Sequence, residues 1–239
     1  MTPLRCCYLG RVPYAAALEL QDELVTRRRR GEIGDTLLLL EHPAVITLGR
    51  SARIENVIVS DDERAAAGVA LYEAGRGGDV TFHGPGQLVG YPILALHGAQ
   101  RDAHLYLRAL EDGLIRTAAA YGGAAARLPG STGVWVGPAK LAAIGVRIGT
   151  GWITSHGFAL NVGRDLSGFR LIVPCGIRDK TVTSLSACTG DELAPAQVAH
   201  DAAGHVAAAL DRAAVWEDAP LATDPGGAVF SSFATGGRS

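Results

Sequence analysis

The sequence predicts an α+β domain: a mixed β-sheet flanked by helices. Two observations carry this prediction. Short apolar runs bounded by Pro, Gly and Asp recur as strand signals, with only a few helical stretches between them. The runs between residues 132 and 162 follow one another as hairpins, not in strict β-α-β alternation, which argues against a purely parallel sheet. A chain of 239 residues, 48% hydrophobic and 19% charged, is large enough for one well-buried core.

The first element is a helix over residues 14–30, "YAAALELQDELVTRRRR". It places Tyr14, Ala17, Leu18, Leu24 and Val25 on one stripe, with Pro13 at its start, arginines in its last turn and Gly31 just beyond. The Arg27–Arg30 run reads as a solvated helix end favoured by the helix dipole, and a docking patch for an acidic partner is the sharper alternative. "DTLLLLEHP" and "AVITLGR" read as buried strands broken at Pro43 and Gly49, "DDERAAAG" as a short helix, and "VALYEA" as a strand. In "DVTFHG", Val80 and Phe82 alternate with Thr81 and His83, and "LVGYPILAL" is the next strand. A second long helix spans 102–121 with Leu105, Ala109 and Leu110 on its buried side. "GVWV", "KLAAIGVRI" and "WITSHGFALNV" form a meander, and a last helix covers about 195–213. Residues 217–239, rich in Gly, Ala, Ser and Pro without periodicity, read as a loosely ordered tail to a single domain over 1–216.

Composition excludes several functions. A formal net charge of -2 supplies no global field for nucleic acid, and basic patches interleaved with aromatics are missing. No apolar run approaches the roughly 20 residues needed to cross a bilayer, and the first residues show no signal-peptide core. Cys6, Cys7, Cys175 and Cys188 form no CxxC set and read as reduced thiols, which points to the cytoplasm. The seven histidines include no HExxH, so no metal site is expected. His83 and His156 stand apart from the others because each precedes Gly at a strand–loop junction.

The glycine-rich stretch "GRGGDVTFHGPGQLVG" is not a phosphate loop. It lacks GxxxxGK[ST], and Gly84-Pro85-Gly86 opens no helix. It is either a structural turn or a place where backbone comes close to a ligand. What remains is a thiol. Cys175 sits at the end of a strand-like "RLIV", stiffened by Pro174, and Gly176 offers a backbone N–H as an oxyanion donor beside it. Of 22 basic residues, only Lys140 and Lys180 are lysine, and a lysine can give up a proton where an arginine cannot.

Together "LLLLEHPAVITLGR", "RGGDVTFHGPGQLVGYPI", "KLAAIGVRI", "HGFALNV" and "VPCGI…VTSLS" resemble, in this order, the signature segments of the lipoyl(octanoyl) transferases, the lipoate–protein ligase B family. The resemblance covers about residues 35–190. Phe82 stands where Tyr is more usual, and Ile46 also varies an aromatic position.

The resemblance implies a biotin/lipoate protein ligase-like fold. The activity it implies is transfer of an octanoyl or lipoyl group from acyl carrier protein to a specific lysine. Acceptors would be the lipoyl domains of 2-oxoacid dehydrogenase subunits and the glycine-cleavage H protein. The enzyme would act as a monomer without cofactor or ATP, since the donor thioester is already activated. Cys175 matches the acyl-thioester nucleophile and Lys140 its partner. Arg76, Gly77, Gly78, Asp79, Val80, Thr81, Phe82 and His83, then Ala143, Ile144 and Gly145, then His156, Gly157 and Phe158 match the segments around the acyl substrate. The alternative is an ATP-dependent lipoate or biotin ligase, which shares the glycine-rich region and does not need Cys175.

The chemistry is coherent. A Lys ammonium ~4 Å from a thiolate at an effective dielectric of ~20 is worth ~4 kcal/mol, enough to lower a thiol from about 8.5 by up to roughly three pH units. On strict alternation Lys140, Ala142, Ile144 and Val146 share one strand face and Leu141, Ala143 and Gly145 the other; the small residues leave room for a slim alkyl chain or simply pack tightly. His83 is expected to orient a donor or the incoming amine.

Overall fold

The computed structural model describes residues 1–173 and 181–217. Their main feature is an eight-stranded mixed sheet in the order β11-β1-β2-β6-β10-β9-β8-β7. Its strands are β1 (Thr2–Arg11), β2 (Asp35–Glu41), β6 (Gln87–Ile93), β7 (Ala126–Leu128), β8 (Ser131–Val136), β9 (Ala139–Ile148), β10 (Thr154–Asn161) and β11 (Arg212–Trp216). β1 runs parallel to β2 and β11, and the remaining pairs are antiparallel. A second sheet has the order β4-β3-β5, from β3 (Val45–Leu48), β4 (Ala70–Glu73) and β5 (Val80–His83).

The run "LLLL" shows why the main sheet is covered on both faces. Leu37 and Leu39 enter one apolar cluster and Leu38 and Leu40 another, as the two-residue period of a strand requires. The first cluster is closed by α3 (Ala103–Ala120) and α5 (Pro195–Ala209), through Leu110, Leu114, Val198 and Val206. These helices approach closely because Gly113 has no side chain; a Cβ there would sit 2.7 Å from Val206 Cα. The opposite face is covered by α1 (Tyr14–Arg29), through Ala17, Leu20 and Leu24. As the connection between parallel β1 and β2, α1 is the one crossover a parallel pair of this kind needs. A short α2 (Asp61–Ala66) starts at a capping box in which Ser60 and Glu63 satisfy each other's backbone N–H, and α4 (Leu185–Thr189) precedes α5.

Several expectations need correction. α1 buries Tyr14, Ala17, Leu20, Gln21 and Leu24, while Leu18 and Val25 are only partly covered. On α3 the buried side is Tyr106, Leu110, Gly113 and Leu114, whereas Leu105 is 57% exposed. The last helix ends at Ala209, not near 213: Asp211 takes a left-handed φ of 58° and turns the chain into β11 beside β1. Arg212 then reaches Asp35, its Nε 2.8 Å from Oδ2, and locks that edge to β2. β1 and β11 were not anticipated at all, since Pro3, Gly10 and the alanines of "RAAVW" weaken any strand pattern. The arginine run does end the helix with Arg29 and Arg30 exposed, while Arg28 pairs with Asp35 and Arg27 with Glu23 and Glu32. Among the described residues no helix is long and apolar enough to cross a membrane.

Candidate active site

One cavity of about 270 Å³ opens where the two sheets meet. β9 and β10 supply one wall, through Lys140, Ala143, Ile144, Gly145, His156, Gly157 and Phe158. The glycine-rich segment and β5 supply the facing wall, through Arg76, Gly78, Asp79, Val80, Thr81 and His83. The structure therefore gathers most of the matched segments around one space. Gly77 and Phe82 do not line it. Gly77 is a clamp: its N–H donates to Val146 O at 2.9 Å and ties the loop to β9. That approach requires Gly145, where a Cβ would lie 2.9 Å from Gly77 O and 3.1 Å from Arg76 Cδ. Phe82 turns into a small core, its ring 5.7 Å from Phe169 and its backbone opposite Ile46. The two departures from the family pattern, Ile46 and Phe82, thus face each other in the same apolar cluster.

Strict alternation along β9 does not hold at Lys140. Lys140 comes to share a face with Ala143 and Gly145, from which strict alternation would separate it. The ladder between β8 and β9 shifts register between Val134 and Trp135, which pair with Ala142 and Lys140. The extra residue in β9 re-aims the side chains around it. Lys140 Nζ lies over the Trp135 ring, 4.7 Å from its centroid, in a cation–π contact.

Cys175, Gly176 and Lys180 lie in 174–180, outside the described residues. Both flanks of that segment are anchored in the structure. Val173 N donates to Asn56 O at 2.7 Å, while Thr181 O accepts from Lys140 N at 2.8 Å and Thr183 N donates to Lys140 O at 3.0 Å. Val182 bridges Lys140 in parallel and lines the cavity.

Beside the cavity, His42 and Thr47 are buried and hydrogen-bonded to residues of its lining, His42 to Tyr91 and Thr47 to His83 and Arg76. His42 Nδ1 lies 2.7 Å from Val12 O, and a carbonyl only accepts, so Nδ1 carries the hydrogen. His42 Nε2 then accepts from the Tyr91 hydroxyl at 2.8 Å. Arg76 is buried and gives Nη2 to both Thr47 O and Thr47 Oγ1 at 2.8 Å, so its charge sits behind the wall. Burial lowers His42 to about 4. Burial first, then the neighbouring His42 and Arg76, lowers His83 to about 3; burial, with Arg76 and Arg147 nearby, lowers His156 to about 4. All three rings are neutral at pH 7. His156 also holds a left-handed φ of 55°, pinned by its backbone N–H donating to Gln21 Oε1 at 2.8 Å. The lining of the cavity is mainly apolar, through Val80, Val89, Ile144, Phe158 and Phe169 among others, and suits an alkyl chain. An alkyl chain with six methylenes buried there would gain roughly 5 kcal/mol, at about 0.8 kcal/mol per methylene.

The sequence reading missed Tyr14, Gln87, Tyr91, Trp135, Asn161 and Phe169, all of which line the cavity. Gln87, Tyr91 and Asn161 lie inside the matched segments "HGPGQLVGYPI" and "HGFALNV", which was the available signal. Tyr14, Trp135 and Phe169 carried none beyond apolar character.

The mixed sheet with its covering helices has the fold of the lipoate-protein ligases. A crystal structure of lipoate-protein ligase A bound with ATP superposes with a TM-score of 0.72 at 15% identity, covering 90% of this chain and 89% of that one. A bi-partite lipoate protein ligase from Thermoplasma acidophilum gives 0.71 at 17% identity, over 91% and 87%. The model of the lipoyl protein ligase A/B catalytic domain matches residues 13–207, and the chain belongs to that family. Among its relatives, an octanoyltransferase of Solibacter usitatus is 56% identical over 184 residues, 76% of this chain and 83% of its own. An octanoyltransferase of Chloroflexus aurantiacus is 53% identical over 201 residues, 83% and 90%, and one of Acidobacterium capsulatum 50% identical over 232 residues, 91% and 94%. The protein is accordingly an enzyme, an acyltransferase of protein lipoylation.

Proposed function

We propose that residues 1–216 form the catalytic domain of a cytoplasmic octanoyltransferase that works through a thioester on Cys175. The donor is octanoyl-acyl carrier protein, and the acceptor is a lysine on a lipoyl domain of a 2-oxoacid dehydrogenase subunit or of the glycine-cleavage H protein. The supporting observation is the apolar cavity bordered by Lys140, whose backbone pairs on both sides of Val182, just beyond the segment that carries Cys175.

The Cys175 thiolate attacks the octanoyl carbonyl, and the carrier's thiolate leaves with a proton from the Lys140 ammonium. The acceptor amine then attacks the new thioester, Cys175 departs as thiolate, and neutral Lys140 takes the proton from the nitrogen. Charge and protons balance across the two half-reactions, and Lys140 ends as it began. Gly176 N–H is the oxyanion donor in both tetrahedral intermediates. Moving an acyl group from thioester to amine is downhill, so no ATP is consumed.

Intact-mass spectrometry after mixing with octanoyl-acyl carrier protein tests this directly. An octanoyl adduct is expected on the wild type and none on Cys175→Ala; an adduct that survives the substitution removes Cys175 from the mechanism. Pyrophosphate release that depends on ATP and free octanoic acid would instead identify an ATP-dependent ligase.

A further inference from the structure

Four hydrogen bonds lead along the cavity lining from His83 to Lys140, the last two made by the separate peptide groups on either side of Thr183. His83 Nδ1 lies 2.7 Å from Gln87 Oε1; Gln87 Nε2 donates to Asn161 Oδ1 at 2.9 Å; Asn161 Nδ2 donates to Thr183 O at 3.0 Å. Thr183 N then donates to Lys140 O at 3.0 Å. His83, Gln87 and Asn161 are all buried, so each of these groups needs its partner.

Two backbone carbonyls set the direction of the line. Thr183 O can only accept, so the amide nitrogen of Asn161 faces it and Oδ1 faces Gln87. Phe82 O, 3.3 Å from Gln87 Nε2, can likewise only accept, which turns Gln87 Oε1 toward His83. An amide oxygen cannot donate, so the hydrogen of His83 resides on Nδ1. Its Nε2 faces Thr47 Oγ1 at 3.5 Å, and that hydroxyl already accepts from Arg76, leaving its own hydrogen to point at the ring. Every donor in the line therefore points from the glycine-loop side toward Lys140.

We infer that Asn161 is a positioning residue which, as the last side chain of a one-way hydrogen-bond line starting at His83, holds the Thr181–Thr183 segment against Lys140. His83 is the fixed first link of that line, not an acid or base. The functional part of this inference rests on the Cys175–Lys140 reading, because Thr181–Thr183 leads directly from the segment that holds Cys175. Without the Asn161 donor, Thr183 O loses its partner, and the strand that fixes Lys140 from its open side loosens. Displacements of about 1 Å at such a place cost on the order of a hundredfold in rate.

Asn161→Asp keeps the acceptor for Gln87 and the shape of the side chain but sets a carboxylate oxygen against Thr183 O. The transfer rate from octanoyl-acyl carrier protein should fall roughly 10- to 100-fold in kcat, while KM for the donor stays within about threefold, because Asp has the shape of Asn and leaves the room in the cavity as it was. A thermal melt checks that the variant is folded. Separately, the 15N shifts of His83 in the wild type, assigned by their loss in His83→Gln, should report an Nδ1–H tautomer that does not titrate between pH 6 and 8, where the protein is still folded. Wild-type kcat in folded Asn161→Asp overturns the positioning role, and an Nε2–H or titrating His83 overturns the line itself. If Asn161→Asp does not fold, the tautomer decides. If the wild type forms no adduct on Cys175, the reading of the thiol fails, and the His83 measurement still judges the line on its own.

Discussion

Acid should unfold this protein unusually early, and the reason lies in His42, His83 and His156. In the folded state their values are lowered to about 4, 3 and 4, chiefly by burial. In the unfolded chain each returns to about 6.5. Because the folded values are the lower ones, the unfolded chain takes up protons first as pH falls. Stability present above about pH 6.5 is therefore lost below it. At pH 5 each histidine favours the unfolded state by roughly 2 kcal/mol, from ~1.36 kcal/mol per pH unit over about 1.5 units. Three of them amount to about 6 kcal/mol, comparable with the whole stability of about 5–15 kcal/mol of an ordinary domain. Urea titrations followed by circular dichroism at half-unit steps from pH 7.5 to 4.5 measure this. The expected result is a midpoint that falls steeply between pH 6.5 and 5, with acid unfolding near pH 5. His42→Gln, which lies outside the cavity, should flatten the slope by about one proton in three. An unfolding free energy at pH 5 within about 1 kcal/mol of its value at pH 7 would refute the reasoning.

Two further outcomes are expected at the cavity. Lys140→Arg keeps the charge but cannot give up the proton, so kcat should fall by at least tenfold while alkylation of the Cys175 thiol at pH 7 stays near wild type; an unchanged transfer rate removes the proton-carrier role. Gly145→Ala pushes a Cβ to 2.9 Å from Gly77 O, and overpacking of that kind costs about 1–3 kcal/mol, seen as a melting temperature lower by roughly 2–10 °C with transfer slowed up to about a hundredfold. A Gly145→Ala enzyme with wild-type melting and rate would show that the loop has slack at this point.

Much of the fold and part of the site could be read without coordinates. The leucine run of β2 declared a strand buried on both faces, since only such a strand has no polar side. The meander β8–β9–β10 was legible from its glycine-marked turns. β1 and β11 were not legible, because their pairing is long-range: Arg212 belongs to a strand only when Asp35 and β1 are there to receive it. Leu105 and Lys140 were assigned to the wrong faces for a related reason. A helix stripe or a strict two-residue period assumes regular geometry, and only the packed neighbours reveal which residues are turned out or where the ladder carries an extra residue.

The sequence by itself determined the class of the domain, the family and the residue types available for chemistry: Lys140 among arginines, Cys175 between Pro174 and Gly176, and the glycines that admit a close loop. These are local properties of the chain, or ordered motifs along it. The tertiary structure alone decided which of those residues share a space and which polar groups are already occupied. His83 is the clearest case. As one histidine before a glycine it carried only the expectation of orienting a donor or the incoming amine. Folded between Gln87 and Thr47 it has a single tautomer, because hydrogen-bond direction is a property of partners brought together from distant parts of the chain.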